Sequence, residues 1–396
     1  MKILITTDWY APTINGVVTS VINLETELRN RGHEVKILTL SQNRYSERNG
    51  NVYYIGSFNL NRVYPNARGT YHFNDSFVNE IIRWKPDIIH SQCELVSFPF
   101  AKRISKRCRI PIVHTYHTAY EDYTHYFSKD KKFGKRAVAL GSKFVLGKVD
   151  SVVVPSEKIR MLLMDYKVKN EIYVIPTGID LKVFRQRISM EEVIAYKEQL
   201  GISLDNKVLL SLGRTAKEKN IQEIIGYLQK IDDERLTFLI VGGGPYLEEL
   251  KRLVKEKCLE NRIIFTGMVP SEDVYKYYQL GDVFVCGSSS ETQGLTYIEA
   301  LASGLPAVCR QDLCLKEVII SGENGYLYED FAGFYQGIEE VLRSEERHKE
   351  MSEKALMIAK KFSIETFVEA VEKVYEEELA KWKSIRALKF IKEDLR

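Results

Sequence analysis

Two cationic side chains follow an apolar run at the place where a parallel sheet binds anions. Arg214 comes directly after the run that ends at Gly213, and Lys219 lies five residues further along the chain. Residues that follow the strands of such a sheet collect at its carboxyl edge, where ligands bind. Two cations there can neutralise a diphosphate, although exposed Lys and Arg are common on any protein surface. The neighbouring motifs decide between these interpretations.

A loop of small residues leads into a predicted helix, with one glutamate before and one after the last glycine of the loop. The segment 288–300 carries Glu291 ahead of Gly294 and Glu299 behind it. The free N–H groups and the dipole of a helix that begins near Gly294 favour a bound phosphate. At a rise of about 1.5 Å per residue, Glu299 lies one to two turns further on, within reach of a ribose. The pattern predicts a nucleotide diphosphate site, with Glu291 facing the group beyond the phosphates.

Glycines after two other predicted strands also permit close approach of a ligand. The first strand is followed by Asn15 and Gly16 instead of the Gly-x-Gly-x-x-Gly fingerprint of dinucleotide folds, which argues against a dehydrogenase. Gly16 opens a helix, where it either faces a ligand or closes a turn. The run Gly242, Gly243, Gly244 and Pro245 likewise indicates a tight turn or a ligand close to the backbone.

Two histidines end another predicted strand and its loop. His117 lies three residues after His114, a spacing that invites a metal site. No acidic partner stands at ligand spacing, and a strand-to-loop placement does not direct both rings to one side. The chain also contains no Asp-x-Asp sequence of the kind that holds a metal-bound diphosphate. We therefore expect no metal, and His117 taken alone is more often a structural residue.

Apolar runs of strand length alternate with helical periodicity along the whole chain, as parallel sheets with crossover helices require. The predicted strands cover residues 2–7, 34–40, 86–90, 110–115, 150–154 and 171–175, and then 208–213, 236–241, 263–266, 283–286 and 305–309. We predict an α/β protein of two Rossmann-like domains, residues 1–185 and 186–375. Residues 376–396 are predicted to form a basic amphipathic helix. Ligands of such a protein bind in the cleft between the domains.

Composition indicates a globular protein with a charge asymmetry. The chain has 396 residues, 44% hydrophobic and 28% charged. No apolar run reaches the ~18 residues of a transmembrane helix, and the apolar start is too short for a signal peptide, so we expect a cytoplasmic protein. Residues 1–188 hold 29 Lys+Arg against 17 Asp+Glu, whereas the remainder holds 28 against 37. A basic first half predicts a polyanionic partner: nucleic acid, an anionic membrane or phosphates.

Most of this positive excess lies in residues 101–148. Within it, residues 127–148 interleave apolar and basic side chains at helical spacing, which is typical of helices that lie on anionic bilayers. The residues predicted to bind a membrane are Lys131, Lys132, Phe133, Lys135, Arg136 and Phe144. The competing interpretation is an ordinary surface helix whose apolar stripe packs on the domain core. Nucleic acid is disfavoured as the partner because the sequence contains no recognisable nucleic-acid-binding module.

These motifs together resemble those of the retaining, nucleotide-sugar-dependent glycosyltransferases of family 4, which have the GT-B fold of two facing Rossmann-like domains. The resemblance implies that the last helix, residues 376–396, returns to the first domain. The resemblance spans nearly the whole chain and rests on the Arg214–Lys219 and Glu291–Glu299 pairs, the glycine turn at 242–245 and the Asn15–Gly16 helix start. Within the family, Glu-Thr-Gln-Gly at 291–294 and Ala-Ser-Gly-Leu-Pro at 302–306 are most similar to bacterial 1,2-diacylglycerol glucosyltransferases.

The resemblance implies a role for each of these positions. Arg214 and Lys219 hold the donor diphosphate, and Glu299 holds the ribose. Glu291, with the backbone of Gly294 and Leu295, holds the transferred sugar and the distal phosphate, and His117 contacts that sugar. The other donor-binding residues implied are Gly16, Gly242, Gly243, Val269 and Thr296.

The implied reaction is a retaining, metal-independent transfer of a hexose, with glucose preferred, from a UDP-sugar to a membrane lipid. The preferred acceptor is 1,2-diacylglycerol, no cofactor is needed, and the enzyme is expected to be peripheral on the inner face of the cell membrane. A soluble or polysaccharide acceptor is the nearest alternative. A GT-B nucleotide-sugar isomerase and a catalytically silent nucleotide-sugar binding protein are the others.

Overall fold

The computed structural model describes residues 1–13, 15–61, 67–118 and 131–394. For residues 131–133 and 385–394 it describes the backbone alone. The chain divides into two compact units, which are described separately. Unit 1 comprises Met1–Gly178 and Ile364–Arg396, and unit 2 comprises Ile179–Ser363.

Unit 1 is built on an eight-stranded sheet in the order β10-β9-β8-β7-β1-β2-β4-β3, parallel except for β3. Its strands are β1 (Lys2–Thr6), β2 (Glu34–Leu40), β3 (Glu47–Asn49), β4 (Val52–Ile55), the small hairpin β5 (Phe58–Asn59) and β6 (Arg68–Gly69), β7 (Ile88–Ser91), β8 (Ile112–Thr115), β9 (Ser151–Val154) and β10 (Glu171–Val174). Its first five helices are α1 (Gly16–Asn30), α2 (Ser76–Trp84), α3 (Phe98–Cys108), α4 (Lys131–Leu146) and α5 (Glu157–Asp165). The predicted strands of this half are all present, and β3 to β6 were not predicted.

The central strands of unit 1 are buried on both faces, which is why their sequences are continuous apolar runs. Residues 3–6 of β1 are fully buried between β2 and β7. Helix α1 starts where the Asn15 side chain accepts a hydrogen bond from the Val18 N–H at 2.9 Å, which is N-capping. Gly16 is therefore the first helical residue, as the sequence predicts, and it is exposed.

Unit 2 contains a six-stranded parallel sheet in the order β13-β12-β11-β14-β15-β16. Its strands are β11 (Lys207–Leu212), β12 (Leu236–Val241), β13 (Ile263–Gly267), β14 (Val283–Cys286), β15 (Ala307–Arg310) and β16 (Gly325–Tyr328). Its helices are α6 (Leu181–Arg185), α7 (Met190–Gln199), α8 (Ile221–Leu228), α9 (Leu247–Glu256), α10 (Val274–Tyr278), α11 (Leu295–Ala302), α12 (Phe331–Leu342) and α13 (Glu345–Ala359). Five of the six strands were predicted, and the edge strand β16 was not.

The structure corrects both predicted domain boundaries. The first boundary follows Gly178 instead of residue 185, because Leu181 and Phe184 pack against the core of unit 2. The final helix, α14 (Ile364–Asp394), begins twelve residues before the predicted 376. Its buried stripe, which includes Val368, Val371 and Tyr375, packs in the core of unit 1 that contains β1 and α1, so the helix belongs to unit 1.

Among the helices of the described residues, none is long and apolar enough to cross a bilayer.

Candidate active site

Lys219 and Glu291 form the tightest ion pair at the carboxyl edge of the unit 2 sheet. Lys219 lies on the loop after β11, and Glu291 on the loop between β14 and α11. The ammonium donates to Glu291 Oε1 at 2.5 Å, and both side chains are partly buried. The structure thus brings together two predicted site residues that are 72 positions apart, and the carboxylate fixes the direction of the ammonium.

Arg214 follows β11 at the same edge but is less restrained. Its guanidinium donates to Glu218 Oε1 at 3.1 Å, and its side chain is 46% exposed. An exposed pair of this kind contributes little to stability, so the guanidinium is available to a ligand. Glu218 was not singled out from the sequence.

Gly294 sets the approach to helix α11. It has a φ of +77°, in the left-handed region, and a Cβ at this position would lie 2.1 Å from the Tyr297 ring. A glycine is therefore required here. Leu295 and Thr296, the first two residues of α11, follow directly, so the free N–H groups of the helix start beside the Lys219–Glu291 pair. The predicted helix start at Gly294 is confirmed.

Glu299 lies on α11 with its carboxylate enclosed. The Tyr278 hydroxyl donates to Glu299 Oε2 at 2.7 Å, and Tyr278 itself is 1% exposed. Burial raises the pKa of Glu299 to about 7, and the Tyr278 hydrogen bond opposes that rise because it favours the ionised form. A buried carboxylate with one donor has acceptor capacity left for ligand hydroxyls. Tyr278 was missed from the sequence, where nothing distinguishes it from neighbouring tyrosines.

The glycine turn after β12 packs directly on the loop after β11. Gly242 has a φ of +128°, and a Cβ there would lie 2.0 Å from the Gly213 carbonyl oxygen. A Cβ on Gly243 would lie 2.7 Å from Met268 Cγ, next to Val269. The turn therefore holds the backbone that leads to Arg214 in place.

Gly242→Ala is expected to lower the free energy of unfolding by about 2 kcal/mol or more, because the added Cβ meets backbone at a strained φ. Gly226→Ala is the matched control, since a Cβ at this position in α8 meets nothing within 4 Å. The control is expected to be neutral or to stabilise by up to about 1 kcal/mol. Urea unfolding of both variants tests this, and equal stabilities would contradict the role assigned to the turn.

His117 lies in unit 1, directly after β8, and is held in one orientation. Its Nε2–H donates to Gln92 Oε1 at 2.7 Å. Enclosure lowers the pKa of His117 to about 4, so the ring is neutral at pH 7 and its Nδ1 carries a lone pair. A neutral histidine oriented in this way can accept a hydrogen bond from a ligand hydroxyl. Gln92 was not identified from the sequence.

Other buried ionisable groups lie at the same carboxyl edge of the unit 1 sheet as His117. His114 Nε2 lies 3.1 Å from Glu94 Oε1, and both residues are buried. Asp8 accepts from the Val96 and Ser97 N–H groups, and burial raises its pKa. Across the residues that the structure describes, no cluster of three or more His, Cys, Asp or Glu side chains has the arrangement of a metal site.

Helix α4 presents an exposed apolar strip with basic neighbours. Leu140 and Phe144, one turn apart, are 69% and 67% exposed. Lys135 and Arg136 are also exposed on this helix. The opposite side is anchored by the buried Leu146. The predicted apolar stripe therefore does not pack on the domain core at Leu140 and Phe144, whereas Val145 and Leu146, on another side of the helix, do.

Part of the predicted membrane segment is not described. Helix α4 begins at Lys131, four residues after the predicted 127, and residues 127–130 lie outside the described ranges. The side chains of Lys131, Lys132 and Phe133 also lie outside them.

Comparison with solved structures shows the class of fold. The Anabaena protein HepE in complex with UDP and glucose has a TM-score of 0.74 and 18% identity, over 95% of this chain and 100% of HepE. The sucrose-phosphate synthase of Thermosynechococcus elongatus has a TM-score of 0.75 and 20% identity, over 96% and 99% of the two chains. Both proteins match this chain over its two Rossmann-like units. A chain of two such units has the GT-B fold.

Sequence comparison then defines the family. Residues 14–183 match the model of Glycosyltransferase Family 4, and residues 193–358 match that of Glycosyl transferases group 1. The alpha-monoglucosyldiacylglycerol synthase of Streptococcus pneumoniae is 37% identical over 84% of this chain and 77% of its own length. The enzyme of the same name from Acholeplasma laidlawii is 32% identical over 95% and 96%. The chain belongs to the family 4 glycosyltransferases, and it is an enzyme of glycosyl transfer.

Proposed function

We propose that this protein transfers glucose from UDP-glucose to 1,2-diacylglycerol at the surface of an anionic membrane, with retention of configuration and without a metal ion. The observation that carries the lipid acceptor is the exposed Leu140–Phe144 strip on a helix rich in basic residues. The names of the two similar synthases from Streptococcus and Acholeplasma support the same acceptor and an alpha-glucoside product. UDP-glucose is itself alpha-linked, so an alpha product corresponds to retention.

On the donor side, we assign the diphosphate to Lys219, Arg214 and the N-terminus of α11. Two cations and free N–H groups then stabilise the negative charge that develops on the departing UDP, as a divalent ion does in other enzymes. Glu299 accepts the ribose hydroxyls. Glu291 orients Lys219 and faces the transferred sugar. His117 keeps the role that the family resemblance implies, a contact with that sugar, in which its Nδ1 lone pair accepts a hydrogen bond from a sugar hydroxyl.

On the acceptor side, helix α4 supplies the attraction to the bilayer. From Lys131 to Lys148 the sequence holds six Lys+Arg and no acidic residue. Near an anionic leaflet each such residue contributes about 1 kcal/mol, and this attraction is screened by salt. Insertion of Leu140 and Phe144 adds apolar burial. Diacylglycerol does not leave the bilayer, so the enzyme has to bind there to reach it.

Reversing three exposed charges of α4 is expected to release the enzyme from anionic vesicles and to slow glucosyl transfer to vesicle-borne diacylglycerol by about tenfold or more. The variant is Lys135→Glu, Arg136→Glu and Lys143→Glu. Wild-type enzyme is expected to float with vesicles that contain anionic lipid, and less so as salt rises. Flotation and transfer of labelled glucose from UDP-glucose are measured on the same samples.

The matched control reverses Lys349, Lys354 and Lys360, which are exposed in unit 2 and change the net charge equally. It is expected to float and to react as wild type. Equal flotation on neutral and anionic vesicles would contradict the membrane role of α4. Glucosylation of soluble acceptors but not of diacylglycerol would contradict the acceptor, and conversion of UDP-glucose without any acceptor would indicate an isomerase.

A further inference from the structure

Unit 1 has a cavity of about 420 Å³ whose lining does not include His117. It opens where the chain leaves β2 and β4, at the carboxyl edge of the sheet. Its walls are formed by the loop after β2, the end of β4 and the segment after β6. The residues that line it are Arg44, Gly56, Ser57, Phe58, Tyr71 and His72.

The cavity walls are fixed by buried polar side chains. Thr70 Oγ1 donates to the Gly56 carbonyl at 2.6 Å, and Ser57 Oγ donates to the Ser41 carbonyl. Arg68 donates to the Gln42 carbonyl at 2.9 Å. Ser41, Ser57 and Thr70 are all nearly inaccessible to solvent. The three wall segments are therefore tied to one another, and the cavity does not depend on a ligand for its shape.

Gly56 allows two of these walls to come together. A Cβ at this position would lie 2.3 Å from the Arg44 carbonyl oxygen, so any other residue would push the two segments apart. The close approach places Arg44 beside the cavity floor.

Arg44 and His72 bring hydrogen-bond donors to the cavity. Within the part of the chain that the structure describes, the side chains of Arg44 and His72 have no hydrogen-bond or ion-pair partner. None of the six lining residues is acidic. By contrast, the nearby Arg48 pairs with Glu80 at 2.8 Å. A preformed cavity with an unpaired guanidinium and an imidazole fits a phosphate, which accepts hydrogen bonds from both.

Two aromatic rings line the cavity, and two more are exposed at positions next to its lining residues in the sequence. Phe58 and Tyr71 stack with ring centroids 4.6 Å apart. Tyr71 and Tyr45 are 83% and 82% exposed, and Phe73 is 43% exposed. Tyrosine rings, with an apolar body and a polar tip, are favoured at the level of lipid headgroups. This combination favours a phosphate that is carried by a lipid over one that is free in solution.

We propose that this cavity binds the phosphodiester headgroup of an anionic glycerophospholipid, with Arg44 and His72 on the phosphate and the aromatic rings at the bilayer interface. The site goes beyond the proposed function, because it recognises a lipid that is neither donor nor acceptor. It gives unit 1 a lipid contact that is separate from α4.

The test is calorimetric titration of the full-length protein with dihexanoylphosphatidylglycerol below its micelle concentration. We expect saturable binding that weakens about tenfold or more in Arg44→Gln and measurably in His72→Gln. Arg83→Gln, which removes an exposed guanidinium of the same unit outside the cavity, is expected to bind as wild type. Thermal unfolding is recorded for each variant to show that it is folded.

The comparison ligands separate the possible sources of binding. Inorganic phosphate that binds as tightly as the lipid would overturn the lipid assignment, and dihexanoylphosphatidylcholine that binds equally well would overturn the role of charge. Absence of binding, or equal binding by Arg44→Gln, would overturn the site itself. Failure of the proposed function is distinguishable, because Arg44-dependent binding of the anionic lipid would persist in a protein that does not glucosylate diacylglycerol.

Discussion

Lys219→Ala is expected to lower turnover of glucosyl transfer by about 10²- to 10³-fold, the loss typical of removing one preorganised group that stabilises developing charge. The 2.5 Å contact with Glu291 is the reason that the effect is large, because the ammonium is already oriented before the donor binds. Arg214→Ala is expected to lower turnover by about 10²-fold. The effect is smaller because the Arg214 guanidinium is more exposed and is less firmly oriented before the donor binds. Steady-state rates at saturating UDP-glucose measure both.

Lys207→Ala is the control for the Lys219 variant. Lys207 is the first residue of β11, at the opposite edge of the same sheet, and pairs with Asp282 at 3.4 Å. Its loss removes a Lys–carboxylate pair without touching the candidate site, and we expect near wild-type turnover. A chelator is also expected to leave the wild-type rate unchanged. Full activity of Lys219→Ala, or loss of activity in EDTA that a divalent ion restores, would contradict the charge-stabilising role.

The affinity for UDP-glucose is expected to rise with pH through about 7 and then level off. Burial raises the pKa of Glu299 to about 7, so its carboxylate is protonated below that pH and ionised above it. The ionised form accepts ribose hydroxyls as charge-assisted hydrogen bonds. Glu299→Gln is expected to weaken binding by about 1.5–3 kcal/mol and to flatten this pH dependence. Calorimetric titrations from pH 5.5 to 8.5 measure both effects.

Tyr278→Phe provides a second readout of the same carboxylate. It removes the 2.7 Å hydrogen bond that favours the ionised form, so the pKa of Glu299 rises further and the affinity profile shifts to higher pH. Glu291→Gln is the contrasting variant, expected to alter turnover and discrimination between donor sugars while leaving that profile in place. An affinity that falls in Glu291→Gln but not in Glu299→Gln would show that the two glutamates have each other's roles.

Several features of this protein are determined by short stretches of its sequence. Strands such as β12 and β14 are predictable because a strand buried on both faces needs a continuous apolar run. The start of α11 is predictable because Gly294 and the small residues before it are local signals. The candidate donor residues were found for the same reason, since each follows a strand or begins a helix.

Other features depend on contacts between distant parts of the chain, and the tertiary structure alone decides them. The pairing of Lys219 with Glu291 and the position of Tyr278 against Glu299 follow from which strands are neighbours in the sheet, and side-chain periodicity carries no such information. The four-residue strands β4 and β16 are held by pairing with β2 and β15, so their own sequences are weak signals. Amphipathic spacing predicted α4 as a helix, but it is equally compatible with an apolar strip that faces a protein core or one that faces outward. Packing within unit 1 leaves Leu140 and Phe144 exposed because Leu146 and its neighbours already fill the core on the other side of the helix.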